Sequence, residues 1–353
     1  MVERSDRIVM FACGALFVVA PMVGWWLPER KSDHAWDIDF LFYVILAITG
    51  FFFVLTEALL VVFMFRYCQS EPGEVRKPSL WLKVYSPFAG LLKPFTSLLN
   101  TASRVEMAWT IVPAVILLYI AFAQVDTWAD VKYKTRLDKY VLDKQDSWDG
   151  LKYVSRPDKS GGPKGTGTVV QIGVSARQFE WKMRYPSPAT WKSWKEKPEL
   201  AAKWANNLTG EFDDIYLTNE LHIINERHVV VNLSTKDVIH SFNLPHMRVK
   251  QDALPGKVIP VWFKPIDYNV VPIAKNGKKS WEYRDGINAD TGKPKNPDYV
   301  WEIACAELCG WGHYRMIGRA LVHKDEGDFE SWLETAAAQQ NDFGPNAMTV
   351  PKK

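Results

Sequence analysis

The chain has 353 residues, a formal net charge of +3 and 24% charged residues, so no strong basic field marks it for nucleic acid. Four cysteines are too few for a disulfide framework in a chain long enough for two domains. Apolar runs dominate up to about residue 125, and a polar, tryptophan-rich sequence follows, which reads as a membrane anchor carrying a globular domain.

Residues 8–27 form an uncharged run of twenty after Arg4 and Arg7, long enough to span a bilayer. A signal peptide shares that design, but Pro21 directly after Ala20 argues against cleavage there. Residues 40–65 make a second span, interrupted by Glu57, an acid expected to face protein rather than lipid. Residues 107–125 make a third, with Trp109 near one end as an interfacial anchor and Pro113 in the first turns. The 66–105 loop carries Arg66, Arg76, Lys77, Lys83, Lys93 and Arg104 against Glu71 and Glu74, which places it in the cytoplasm and the large C-terminal part outside. Cys13 and Cys68 lie in or beside apolar segments and read as inert thiols.

Beyond residue 165 the stretches 168–186, 228–244 and 257–263 are rich in β-branched and aromatic residues between turn-forming segments, as in an all-β sandwich. Residues 187–212, with Trp191, Trp194 and Trp204 among lysines and glutamates, read as a helical insertion. Residues 268–298 read as a long polar loop, and 328–340 as a helix before a tail. His34, His222, His228, His246 and His323 read as surface or loop histidines, with His246 an outside candidate for a ligand.

The densest chemistry is in residues 303–316, IACAELCGWGHYRM, where Cys305, Glu307, Cys309, His313 and Met316 fall within twelve residues. Soft sulfur with imidazole favours copper over magnesium or calcium. The second thiolate goes beyond a mononuclear blue-copper centre and suggests two metals bridged by both sulfurs. A Cys305–Cys309 disulfide would leave His313 and Met316 without a reason, and structural zinc would not select Met316. His240, in KDVIHSFNLP ahead of a proline-containing turn, is the best partner from elsewhere in the chain.

The segments KDVIHSF, VKQDALPGK and CAELCGWGHYRM, with VEMAWTIVPAVIL at 105–117, resemble subunit II of haem–copper cytochrome c oxidases. That resemblance implies two transmembrane helices, with a possible third, followed by a cupredoxin-like β-sandwich. It implies a binuclear copper site in which Cys305 and Cys309 bridge, His240 and His313 bind one metal each, and Met316 and the Glu307 carbonyl are weak ligands. It further implies a magnesium ion held by the Glu307 side chain at the contact with subunit I, and a proton-path entrance at Glu106. A solvated carboxylate at a helix N-terminus is the alternative for Glu106.

The implied partners are subunit I with its haem, other oxidase subunits and a c-type cytochrome, soluble or complex-bound, at a bacterial plasma membrane with the copper domain on the outer side. The implied function is electron entry for proton-pumping reduction of oxygen to water. The copper subunit of a nitric oxide reductase or another terminal reductase, or a membrane-tethered copper protein, are the alternatives. The expected organisation is 1–39 as signal anchor or extra span with an outer linker, and 40–126 as a helical hairpin. The copper domain follows at 127–327, with insertions near 187–212 and 268–298, and then the helix and tail at 328–353.

Two departures from the family concern the electron donor. The place of the usual receiving tryptophan falls on Phe179, with Trp181 two residues on and, by strand alternation, on the same face. The spacing from His240 to Cys305 is also longer than usual for the family.

Overall fold

The protein is described from a computed structural model that defines residues 27–67, 102–132, 152–154, 166–197, 199–207, 210–275 and 277–342. The first expected span, Cys13, Cys68 and most of the 66–105 loop lie outside the described residues. The chain divides into two compact units, Met1–Val23 with Phe40–Asp126, and Gly24–Asp39 with Thr127–Lys353.

In the first unit, helix α1 (Ala35–Tyr67) and helix α2 (Ala102–Lys132) contain the second and third expected spans. Stretches Ala35–Val61 and Glu106–Ala129 are long and apolar enough to cross a bilayer. Phe40, Phe51 and Leu60 on α1, and Val115, Leu118 and Phe122 on α2, are exposed, as suits helices whose solvent is lipid. Thr56 and Thr110 donate their hydroxyls to carbonyls four residues earlier, at 2.7 and 2.9 Å, so these polar groups are satisfied within the helix. Because α2 begins at Ala102, Pro113 lies inside the helix rather than in its opening turns. Glu57 is exposed on α1, so the described residues of this chain do not supply the cover expected for it.

The second unit is a sandwich of two five-stranded sheets. One sheet runs β10 (Ile259–Phe263), β7 (Val229–Thr235), β3 (Val170–Arg177), β4 (Glu180–Tyr185), β5 (Ile215–Thr218). The other runs β6 (Glu220–Ile224), β14 (Ile317–His323), β13 (Trp301–Cys305), β8 (His240–Leu244), β9 (Val249–Ala253). Most pairings are antiparallel, while β3–β7 and β6–β14 are parallel. Alternation explains the packing: Ile172, Val174 and Ala176 of β3 and Val229, Val231 and Leu233 of β7 point inward. They join Leu221, Ile223, Phe242, Ile303 and Val322 from the other sheet in one core. A short pair, β1 (Lys152–Val154) with β2 (Thr166–Thr168), stands outside both sheets.

The 187–212 insertion is helical as expected, forming α3 (Pro188–Glu196) and α4 (Glu199–Asn206). Ser187 caps α3 by accepting from the Thr190 N–H, and Pro188 occupies the first turn, where its missing N–H costs nothing. Trp191, Trp194 and Trp204 are buried in an edge-packed row. Trp191 also meets Phe329 of the C-terminal helix α5 (Glu326–Asp342).

The 268–298 segment corrects the expectation of a polar loop. It contains a hairpin, β11 (Val270–Lys275) with β12 (Lys278–Tyr283), with Lys275 opposite Lys278 and Gly277 in the turn between them. Gly277 has φ +73°, which the turn needs and a glycine provides without strain. A second departure concerns residues 28–39, expected as an outer linker. Lys31, Ser32 and Asp39 are buried against the sandwich, where Ser32 bridges to Pro265 and Arg248 grips Asp39 with two bonds at 2.6 and 2.9 Å.

Candidate metal centre

Strand pairing brings the sulfur-rich loop to His240. The loop is the connection of the β13–β14 hairpin, closed where the Cys305 N–H donates to the Met316 carbonyl at 3.2 Å. On the other side of β13 lies β8, with Cys305 opposite Phe242 and the Ala306 N–H bonded to the Ser241 carbonyl. His240 begins β8 rather than ending a strand, which sets it at the same end of the sheet as the loop.

The side chains converge. The Cys305 and Cys309 sulfurs are 3.9 Å apart, far beyond a disulfide bond, and both thiols are free. His240 Nδ1 lies 3.8 Å from the Cys305 sulfur, and His313 Nδ1 lies 3.5 Å from the Cys309 sulfur. Met316 Sδ is 3.9 Å from the Cys309 sulfur, and the Glu307 carbonyl is 3.2 Å from the Cys305 sulfur. One ligand atom each of His240, Cys305 and Cys309 lie within 4.8 Å of one another. His246 stands apart, packed near Trp301.

The surroundings prepare the donors. His240 Nε2 is 2.9 Å from an Asp237 carboxylate oxygen, so the proton sits on Nε2 and the Nδ1 lone pair faces sulfur. Although burial pushes the Asp237 carboxyl up, the Gln178 N–H and the His240 imidazole hold it below its ordinary value. Burial first and Cys305 second push the Cys309 thiol up to about 11, so a cation bound there has to displace the Cys309 proton. Two sulfurs, two imidazole nitrogens, a thioether and a carbonyl with no competing oxygen cage fit copper.

Phe179 and Trp181 separate. Phe179 lies in the turn between β3 and β4, outside the strand alternation expected to align the two, and follows a cis peptide bond. Its ring covers the copper loop: a Cβ at Gly312 would come within 2.5 Å of it, and one at Gly310 within 3.2 Å. Gln178 adds a side-chain bond to the Cys309 carbonyl. Trp181 is 0% exposed, edge-on to His240 and Phe242 in the core, so it offers no surface to a donor. Trp311 was not among the expected residues. It stands edge-on to Phe179 at 5.4 Å and is 76% exposed, and its place between two glycines was the signal in the sequence.

Glu307 is exposed on the loop, and Glu106 is exposed in the second turn of α2. His222 and His323, expected at the surface, are buried. His222 Nδ1 meets His323 Nε2 at 2.9 Å, and His323 Nδ1 meets the Asp328 carboxylate at 3.1 Å.

Comparison with known proteins gives a consistent answer. The family model for the cytochrome c oxidase subunit II periplasmic domain matches residues 172–270, and that for its transmembrane domain matches residues 86–126. Cytochrome c oxidase subunit 2 of Thermostichus vulcanus is 24% identical over 95% of this chain and 86% of that protein. The alternative cytochrome c oxidase subunit 2 of Bradyrhizobium diazoefficiens is 26% identical over 52% of this chain and 57% of that protein. The solved periplasmic domain of cytochrome oxidase subunit II from Bradyrhizobium japonicum is 21% identical, with a TM-score of 0.32, over 49% of this chain and 96% of that one. The chain is therefore similar to subunit II of the haem–copper oxidases in both its transmembrane and its periplasmic part, which supports a membrane-anchored oxidase subunit with a periplasmic domain of a family that implies copper.

Proposed function

We propose that this subunit takes electrons singly from a c-type cytochrome at a binuclear copper centre. It passes them to haem in subunit I of a bacterial plasma-membrane oxidase, where oxygen is reduced to water and protons are pumped. The observation that carries this reading is the 3.9 Å separation of two free, buried sulfurs, each with an imidazole nitrogen beside it. Cys305 and Cys309 would hold both metals, His240 and His313 one each, with Met316 and the Glu307 carbonyl as weaker donors. Copper held by these residues would supply a one-electron carrier.

The chain's own residues set the conditions for that chemistry. Asp237 orients His240, Phe179 covers the loop, and the burial of Cys305, Cys309, His240 and Met316 excludes water. The exposed Glu307 carboxylate is a hard ligand suited to a magnesium ion shared with subunit I. Glu106 is assigned to proton entry at the cytoplasmic side.

The purified full chain should bind about two coppers, with a near-infrared band and a mixed-valence spin signal. One copper with intense blue colour would reject the binuclear reading. In the assembled oxidase, Glu106→Gln should slow proton uptake with copper content unchanged. Proton uptake at the ordinary rate would return Glu106 to a solvated carboxylate.

A further inference from the structure

We propose that Trp311 is the electron port of this subunit: the surface group that meets the donor's haem edge and connects it to the copper loop. The proposal rests on the copper reading above. Its grounds are the roofing of the site. Cys305, Cys309, His240 and Met316 are all buried, and only His313 of the side-chain donors is half-exposed. An electron from outside must therefore pass through whatever covers the loop, and electronic coupling falls steeply with each added gap between atoms.

Trp311 is an exposed indole set between two of the donors and packed onto the cover of the loop. It is two residues from Cys309 and two from His313, with 76% of its surface exposed. It is also held in place. Phe179 packs edge-on against it at 5.4 Å, and the Arg315 guanidinium lies over its face at 4.5 Å and over Phe179 at 5.7 Å. The glycines on either side are what allow Phe179 to press on the loop, since a Cβ at Gly312 would collide with its ring. A side chain this large and exposed is otherwise a cost to solubility, and the cation over its face limits how it can turn.

The neighbourhood suits an apolar haem edge. Leu308 and Tyr314, on the same loop, are 80% and 74% exposed. Trp181, completely buried behind His240, has no such access. The step is a single outer-sphere electron transfer. A ferrous c-type haem is oxidised by one electron and the copper centre reduced by one, with no bond made or broken and no proton moved. Trp311 carries the electronic coupling and Phe179 is a positioning residue.

The test compares Trp311→Ala and Trp311→Phe with the parent in the assembled oxidase. Single-turnover reduction of the copper centre by a reduced c-type cytochrome should slow about a hundredfold in Trp311→Ala and less in Trp311→Phe. Copper content and the near-infrared band should stay the same. Reduction by hexaammineruthenium(II), small enough to reach the His313 edge, should change less than threefold. Separately, a c-type cytochrome should bind the metal-free full chain about tenfold more weakly when Trp311 is alanine. Parent-like rates and binding in Trp311→Ala would overturn the proposal, as would a slow Phe179→Leu beside a fast Trp311→Ala. A parent chain without the mixed-valence signal would instead defeat the copper reading, and the metal-free binding measurement would still decide on Trp311.

Discussion

Two histidine pairs, three of the four rings buried and His313 half-buried, occupy the same sandwich, and they spend their lone pairs differently. At the loop end, His240 and His313 turn Nδ1 toward thiol sulfurs 3.8 and 3.5 Å away, contacts too long and too soft to satisfy an imidazole nitrogen. Below α5, His222 and His323 bond to each other at 2.9 Å, and His323 bonds to Asp328, which also accepts from the Trp281 indole at 2.6 Å. His222 lies flat on Trp332 at 4.0 Å. The second cluster is complete within the protein and holds the C-terminal helix to the sheet. The first is complete only with a guest. Burial of histidine therefore says little about function until its partners are counted.

The sharpest way to break this contrast is at the sulfurs. Cys309→Ser should abolish the mixed-valence signal and oxygen uptake by the assembled oxidase, while thermal melting of the metal-free chain shifts little. Respiration at the parent rate in that variant would remove the copper from the electron path. At the other cluster the outcome should invert. His323→Leu leaves the Asp328 carboxylate without its imidazole, and should cost roughly 2–3 kcal/mol in denaturant unfolding of the metal-free chain with copper binding retained. Loss of copper without loss of stability would show that the two clusters are not separate.

The smallest effect is one of pH. Burial pushes the His222 imidazole down to about 4, with Glu220 opposing and His323 adding to the fall. Burial likewise lowers His228 to about 4, against the pull of Asp33. In the unfolded chain both regain values near 6.5. The neutral, buried state is therefore fully stable above about pH 6.5, and stability is lost as pH falls toward 4, because only the unfolded chain takes up protons there. The melting temperature of the metal-free chain should drop by roughly 5–10 °C between pH 7 and pH 5. A flat profile over that range would mean that these rings protonate without unfolding.

Much of the architecture was legible because it is written locally. The spans follow from apolar length, α3 and α4 from their composition, and the metal loop from five ligand-type residues within twelve. The hairpin β11–β12 was also written, in Asn276-Gly277, but lysines crowd the turn and hide the strands that flank it. What no local reading supplies is pairing across distance. His222 and His323 meet because β6 and β14 run parallel as neighbours, with His222 opposite Leu321 and His323 opposite Ile224. Phe179 left the strand pattern because it occupies a turn, and its meeting with Trp311 joins segments 132 residues apart. Distant pairings of this kind decide which polar groups find partners, and so which histidines remain open to a metal.

The strand order also dictates when the site comes into being. β13 is placed between β8 and β14, and β14 in turn pairs with β6, about a hundred residues earlier in the chain. The donors themselves come from β8, from the end of β13 and from the loop ahead of β14, so His240 and Cys305, 65 residues apart, meet only when β8 and β13 pair. Non-local closure of this kind is slow compared with forming the β13–β14 hairpin, whose loop already holds the other donors.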